Sequence, residues 1–194
     1  FRTRFRVLTG GRTLDLALSL GGIHNVRNAL IATAVGLSLG MDAASLRAGL
    51  AAVRPVPGRL FPRVGCGGLR LIDDSYNANP DSVLAAIEVL VGLPGRHTLV
   101  LGDLGELGAE APELHRQLGR EARRAGVDAL YSVGVLTAAA AEGFGAGARH
   151  FADQSSLVAA LRSDLGEDDL VLVKGSRLAA MDRVADALCG QGAV

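Results

Sequence analysis

The segment Asp73-Asp74-Ser75-Tyr76-Asn77-Ala78-Asn79-Pro80 gathers two carboxylates, two carboxamides and two hydroxyls directly after the apolar run Leu69-Arg70-Leu71-Ile72. Pro80-Asp81-Ser82 then opens an amphipathic helical pattern. A dense polar cluster therefore sits where a buried strand hands over to a helix. In parallel α/β sheets, ligands bind outside the carboxyl ends of the strands. A carboxylate in that place can accept hydrogen bonds from ribose hydroxyls or hold a metal through water. A strand alternates its faces, so Asp73 and Asp74 point in opposite directions and only one faces a ligand. Capping the following turn is the competing use for either.

Two further clusters follow apolar runs in the same way. Gly102-Asp103-Leu104-Gly105-Glu106-Leu107-Gly108 comes after Thr98–Leu101, and Lys174-Gly175-Ser176-Arg177 comes after Leu170–Val173. If those strands are parallel, all three clusters emerge on one rim, and one ligand could touch a carboxylate, a carboxamide and a cation together. Loops of α/β proteins are polar in any case, so the convergence, not any one cluster, argues for a site. Gly102–Gly108 lacks the lysine of a Gly-x-x-x-x-Gly-Lys-Ser/Thr phosphate loop and carries two acids that repel phosphate. No such loop occurs elsewhere in the sequence, which thus contains no dedicated triphosphate cradle.

Upstream, His24-Asn25-Val26-Arg27-Asn28 lies at a helix start after Gly21-Gly22. His24 and Asn28 share a helix face, as do Asn25 and Asn28. A carboxamide offers the donor and acceptor that an adenine edge needs; helix capping by Asn25 beside an incidental His is the alternative. Arg59 follows Pro57-Gly58. Its planar donor fork suits phosphate, although a solvated surface arginine fits equally. His115 falls inside a helical pattern and reads as structural, while His97 and His150 read as surface residues.

The elements that must position these residues follow from periodicity. Arg4–Thr9 and Thr13–Leu20 alternate around Gly10-Gly11, the pattern of a hairpin. His24–Leu39 and Ala43–Val53 read as helices, the first ended by Gly40 and the second capped by Asp42. Arg54-Pro55-Val56-Pro57-Gly58 cannot continue a helix, so a boundary or hinge is placed there, dividing the chain into residues 1–54 and 55–194. Leu60–Val64 and Leu69–Asp73 could pair across Gly65–Gly68. Helix Pro80–Val91, strand Thr98–Leu101, helix Pro112–Ala125, strand Ala129–Val133 and helix Val135–Glu142 follow. Strand Arg149–Phe151, helix Ser155–Leu165, strand Leu170–Val173 and helix Leu178–Leu188 complete the chain. Repeated strand-then-helix units require right-handed crossovers and a mostly parallel, Rossmann-like sheet with flanking helices, here an α/β fold preceded by a hairpin and helices.

Composition narrows the function classes. Apolar residues make up 49% and charged residues 21%, the balance of a globular protein. Aromatics are 4% with no Trp, so the core must be aliphatic, as in helix-covered parallel sheets. Twenty basic and 20 acidic residues cancel. Without net attraction, neither nucleic acid nor an anionic membrane is expected as a partner. Cys66 and Cys189 have no metal-type spacing, and a reducing cytoplasm fits them. No apolar run reaches the ~18 residues of a membrane span. The sequence begins at Phe1 in mid-pattern, and the expectation is a fragment of a longer protein.

These motifs, in this order, resemble the Mur ligase family of peptidoglycan synthesis over nearly the whole chain. Gly22-Ile23-His24-Asn25-Val26-Arg27-Asn28 is similar to the family's Gly-x-His-Asn-x-x-Asn segment at the end of its central ATPase domain. Pro57-Gly58-Arg59 is similar to the Pro-Gly-Arg opening its carboxy-terminal domain. The three rim clusters resemble the branch that adds D-alanyl-D-alanine to a UDP-N-acetylmuramoyl-tripeptide. Leu104 stands where Met is usual there, a tolerable apolar exchange. The Asp-Asn-Pro-Arg signature of the branch that adds diaminopimelate or lysine is missing.

The resemblance implies ATP and Mg2+ as cofactors, a monomer, and an acyl-phosphate route to an amide in the cytoplasm. The family's phosphate loop, its magnesium-binding Glu and His and its carbamylated Lys have no counterpart in these residues, so this piece is expected to be inactive alone. It implies His24, Asn25 and Asn28 at adenine, Asp74 at ribose, and Arg59 at the ATP phosphates, with Arg59 and Asp74 as the catalytic pair. Asn77, Asn79, Lys174, Ser176 and Arg177 would line the dipeptide pocket, with a cation on its carboxylate. The hinge would let the carboxy-terminal domain close and exclude water from the acyl phosphate. Another Mur-type or folylpolyglutamate-type ligase, or a non-catalytic α/β binding module, are the alternatives.

Overall fold

The alternating pattern at the start forms an antiparallel hairpin, β1 (Thr3–Thr9) with β2 (Arg12–Leu18), in the register Thr9↔Arg12 to Thr3↔Leu18. α1 (Ile23–Ser38) follows, and α2 (Ala43–Ala52) starts where the Asp42 carboxylate accepts the Ser45 N–H at 2.7 Å. Leu14, Leu16 and Leu46 form the small core that joins hairpin to helix. The structure, a computed structural model, describes residues 1–190; residues 191–194, the end of the second predicted domain, lie outside the described residues. The chain divides into two compact units, Phe1–Val56 and Pro57–Val194.

The second unit holds a six-stranded sheet in the order β3-β4-β8-β5-β6-β7. Its strands are β3 (Phe61–Val64), β4 (Arg70–Asp74), β5 (Arg96–Gly102), β6 (Ala129–Val133), β7 (Ala148–Phe151) and β8 (Asp169–Lys174). Only the β3–β4 pair, with Phe61 opposite Asp73, is antiparallel. The intervening helices are α3 (Pro80–Val91), α4 (Ala111–Ala125), α5 (Thr137–Phe144), α6 (Gln154–Asp164) and α7 (Asp182–Leu188). The α/β expectation, a mostly parallel sheet preceded by a hairpin, therefore holds.

Helices cover both faces, which is why the central strands read as continuous apolar runs. α6 and α7 bury Leu71, Val100, Tyr131, Val171 and Val173. The alternate residues Ile72, Leu99, Leu101, Leu130 and Leu172 are buried too; on that face α3 packs on β5 and β8, α5 packs on β6 and β7, and α4 packs against α3 and α5. α4 and α5 approach until their backbones touch: a methyl group on Gly119 would strike the Ala140 carbonyl, and one on Gly143 the Arg116 carbonyl.

Two predicted helices begin later than their patterns suggest. α5 starts at Thr137, two residues in from Val135. α7 starts at Asp182 and not at Leu178, because Ala180 adopts a left-handed backbone (φ 46°) after a 3-10 turn, leaving Leu178 exposed. His97, read as a surface residue, is half-buried, with its Nε2 against the Leu93 carbonyl at 2.8 Å.

Candidate functional site at the carboxyl rim of the sheet

Strands β4, β8 and β5 are neighbours, and their register sets Asp74 beside Lys174 and Lys174 beside Leu101. The three polar clusters therefore leave one rim at one level.

Asp73 and Asp74 do separate onto opposite faces. Asp73 turns into the fold. It accepts from the Ser75 hydroxyl at 2.6 Å and the Ser75 N–H at 3.2 Å, and pairs with Arg63 at 3.2 Å. Arg63 also meets Asp186 of α7 at 2.8 Å. Burial opposes the Arg63 charge, but the Asp186 and Asp73 carboxylates outweigh it and raise its pKa. Asp73 thus ties β4 to β3 and α7.

Asp74 lies on the rim. Its Oδ2 accepts from Lys174 Nζ at 2.6 Å, and its Oδ1 accepts the Leu60 N–H at 2.9 Å. Lys174 also donates to the Asn77 carbonyl at 3.0 Å, and its side chain is only 2% exposed. One buried ammonium thus joins the ends of β4 and β8 and the loop that leaves β4 for α3. A carboxylate has about four acceptor positions, so Asp74 keeps capacity for another donor, whereas Lys174 is enclosed. The anchored Leu60 has φ 45°, strained for a non-glycine residue by about 1–2 kcal/mol. Its bond to Asp74 and its buried side chain hold it there.

Next to that anchor, Gly58 has φ 75° and its carbonyl accepts the Tyr76 N–H at 3.0 Å. A Cβ on Gly58 would sit 3.2 Å from Tyr76 Cβ, tighter than ordinary contact. Glycine is needed here both for its conformation and for the close approach. The result sets the Arg59 guanidinium over the Tyr76 ring, 4.3 Å from its centre. Arg177 reaches the same ring at 5.9 Å and lies 3.8 Å from Asp182.

The remaining predicted site residues divide by use. Asn77 is exposed, with its side-chain oxygen on the Ala78 N–H at 2.9 Å. Asn79 caps α3, accepting the Ser82 N–H at 2.8 Å while its own N–H meets the Ser82 hydroxyl at 3.0 Å. Ser176 is buried, donates its N–H to the Asp103 carbonyl at 3.0 Å and begins the turn toward α7. In the first unit, the Asn25 carboxamide donates to the Gly21 carbonyl at 2.7 Å and lies 3.1 Å from His24 Nε2. Asn25 therefore does not cap α1 by accepting an N–H. Asn28 is exposed.

The glycine-rich loop after β5 is built differently. The Asp103 carboxylate accepts the N–H groups of Val135, Leu136 and Thr137 at 2.9, 3.0 and 2.8 Å. It closes the amino end of α5 from a distant strand, which explains the late helix start. His115 is fully buried, with Nε2 accepting the Leu104 N–H at 3.1 Å and Nδ1 on the Ala111 carbonyl at 2.7 Å; its structural reading holds. Sequence reasoning missed Tyr76, valued for its hydroxyl and not its ring, and Leu60, whose role is a backbone N–H. Among the described residues, no cluster of three His, Cys, Asp or Glu side chains could hold a metal ion.

A mostly parallel sheet whose carboxyl rim gathers a carboxylate–ammonium tie, carboxamides and exposed arginines defines an α/β domain of the Rossmann-like class. Residues 58–177 match the family described as Mur ligase, glutamate ligase domain, and the chain belongs to that family. The UDP-N-acetylmuramoyl-tripeptide–D-alanyl-D-alanine ligase of Escherichia coli K12 is 44% identical over 192 residues, covering 98% of this chain and 42% of the relative. The chain thus spans less than half of that relative's length. MurF from Acinetobacter baumannii superposes with a TM-score of 0.87 at 31% identity, covering 97% of this chain and 42% of that one. MurF from Thermotoga maritima, solved in complex with ADP, shares the fold with a TM-score of 0.84 at 24% identity, covering 98% of this chain and 44% of that one.

Proposed function

We propose that this chain is the carboxy-terminal portion of an ATP-dependent ligase that joins D-alanyl-D-alanine to UDP-N-acetylmuramoyl-tripeptide in the cytoplasm. The observation that carries the reading is the 44% identity to the E. coli ligase across 98% of this chain, which spans every rim cluster. In this reading residues 1–54 are the end of the ATP-binding domain and residues 55–194 the substrate-binding domain.

When bound, ATP supplies the phosphoryl group that activates the tripeptide carboxylate as an acyl phosphate, from which the dipeptide amine displaces phosphate to form the amide. The residues of this chain position and stabilise. Arg59 fits phosphate: its guanidinium is exposed, has a planar donor fork, and has no carboxylate partner among the described residues. Asp74 keeps acceptor positions for a ribose hydroxyl. His24, Asn25 and Asn28 serve adenine, with the Asn25 oxygen and the exposed Asn28 carboxamide available. The tripeptide's dipeptide partner is met by Asn77 and Arg177, while Lys174, Ser176 and Asn79 shape the pocket from behind. Among the described residues no group of three His, Cys, Asp or Glu side chains could hold a metal ion; in this reading the Mg2+ ligands belong to the part of the ligase that this chain does not span.

The test is a chimera in which this chain replaces the matching stretch of the E. coli ligase. Phosphate release that requires both the tripeptide and D-alanyl-D-alanine is the expected result. A folded chimera that prefers glutamate or diaminopimelate would overturn the assignment. The chain by itself should show no ATP-dependent ligation.

A further inference from the structure

Tyr76 has no role in the function just proposed, yet it occupies the centre of the exposed rim. Its ring receives two guanidiniums, Arg59 at 4.3 Å and Arg177 at 5.9 Å. These arginines lie far apart in sequence: Arg59 precedes β3 and Arg177 follows β8. Like charges gathered on one ring repel, and an aromatic face offsets only part of that repulsion. Arg177 has some compensation from Asp182 at 3.8 Å, across an exposed contact weakened by solvent. Arg59 has none among the described residues. The backbone that carries the ring is anchored: the Tyr76 N–H is held by the Gly58 carbonyl at 3.0 Å, Leu60 is bonded to Asp74, and Asp74 is bonded to the buried Lys174. Two planar donor forks on a fixed platform, with their donors uncommitted to carboxylates at short range, are the components of an oxyanion site.

We propose that Tyr76 is a positioning residue that aligns Arg59 and Arg177 into one two-cation subsite for an oxyanion, a phosphate or a carboxylate. Tyr76 acts through its ring face, so its hydroxyl is dispensable. The proposal goes beyond the ligase reading, which gives Arg59 to phosphate and Arg177 to the dipeptide, by joining both arginines in one subsite, and binding by the chain itself can be read whether or not that reading stands.

The experiment follows the arginine side-chain N–H resonances of the intact chain by NMR during titration with inorganic pyrophosphate, and separately with D-alanyl-D-alanine. The Arg59 and Arg177 signals should move together, with one affinity, for at least one of the two probes; which probe moves them identifies the source of the oxyanion. Tyr76→Phe should keep that affinity within about twofold. Tyr76→Leu should weaken it about tenfold or more and remove the ring-current shifts of both arginines, while amide signals of the sheet stay in place. Tyr76 is half-exposed, so neither variant disturbs the core. Arginines that respond independently, no response to either probe, or a Leu variant that binds like the parent would each overturn the proposal. Failure of the chimera to ligate, with the paired response intact, would overturn only the ligase reading.

Discussion

Asp74 ends β4 and Asp103 follows β5, two strands of one sheet separated by β8, and the fold uses them in opposite ways. Asp103 spends its carboxylate on three N–H groups at the start of α5, and the loop around it is further closed by His115. Asp74 is held by one N–H and one buried ammonium, and the residues beside it, Tyr76, Asn77, Arg59 and Arg177, stay exposed. The same side chain at the same kind of strand end thus closes one loop and opens the next. A glycine-rich segment with acids is not by itself a site. What distinguishes the loops after β4 and β8 is that their ties lie beneath the surface, leaving donors above.

That contrast can be broken by measurement. Lys174→Met leaves the Asp74 carboxylate without its cation in a poorly hydrated place, and should destabilise the chain by about 3–5 kcal/mol in urea unfolding. Asp103→Ala should cost less, about 2 kcal/mol, because a helix start loses its acceptor but regains some water. If the Asp103 variant proves the more damaging, the two loops have been ranked wrongly. Gly58→Ala forces a Cβ against Tyr76 and a left-handed alanine, for about 1–2 kcal/mol. It should also move the Arg59 resonances while leaving those of Asp103 and α5 unchanged; movement at both would show that the loops are not independent.

The smallest effect concerns pH. Hydrogen bonds from the Ser156 N–H lower the pKa of Asp153, and those from Ser45 do the same for Asp42. Each carboxylate therefore contributes stability above its unfolded pKa and loses it as pH falls through the folded value. Amide exchange at Ser156 and Ser45 should accelerate in acid beyond its intrinsic pH dependence, and Asp153→Asn should flatten that response at Ser156 alone.

Much of this molecule was legible in residue order. Alternation around Gly10-Gly11, aliphatic runs at Leu99–Leu101 and Leu170–Val173, and Asp42 ahead of a helical pattern are local signals, because strand period, helix period and capping act within a few residues. The rim followed as well, since parallel strands carry their carboxyl ends to one side. What no local pattern contains is the partner of a side chain from another segment. Asp74 with Lys174, Asp103 with the start of α5, and the Tyr76 ring with Arg59 and Arg177 are contacts between residues distant in sequence. They depend on strand order and register, which decide which polar groups are consumed in holding the fold and which remain for a ligand. Sequence alone established which chemistry was present; the packing of β4, β8 and β5 decided how much of it faces outward.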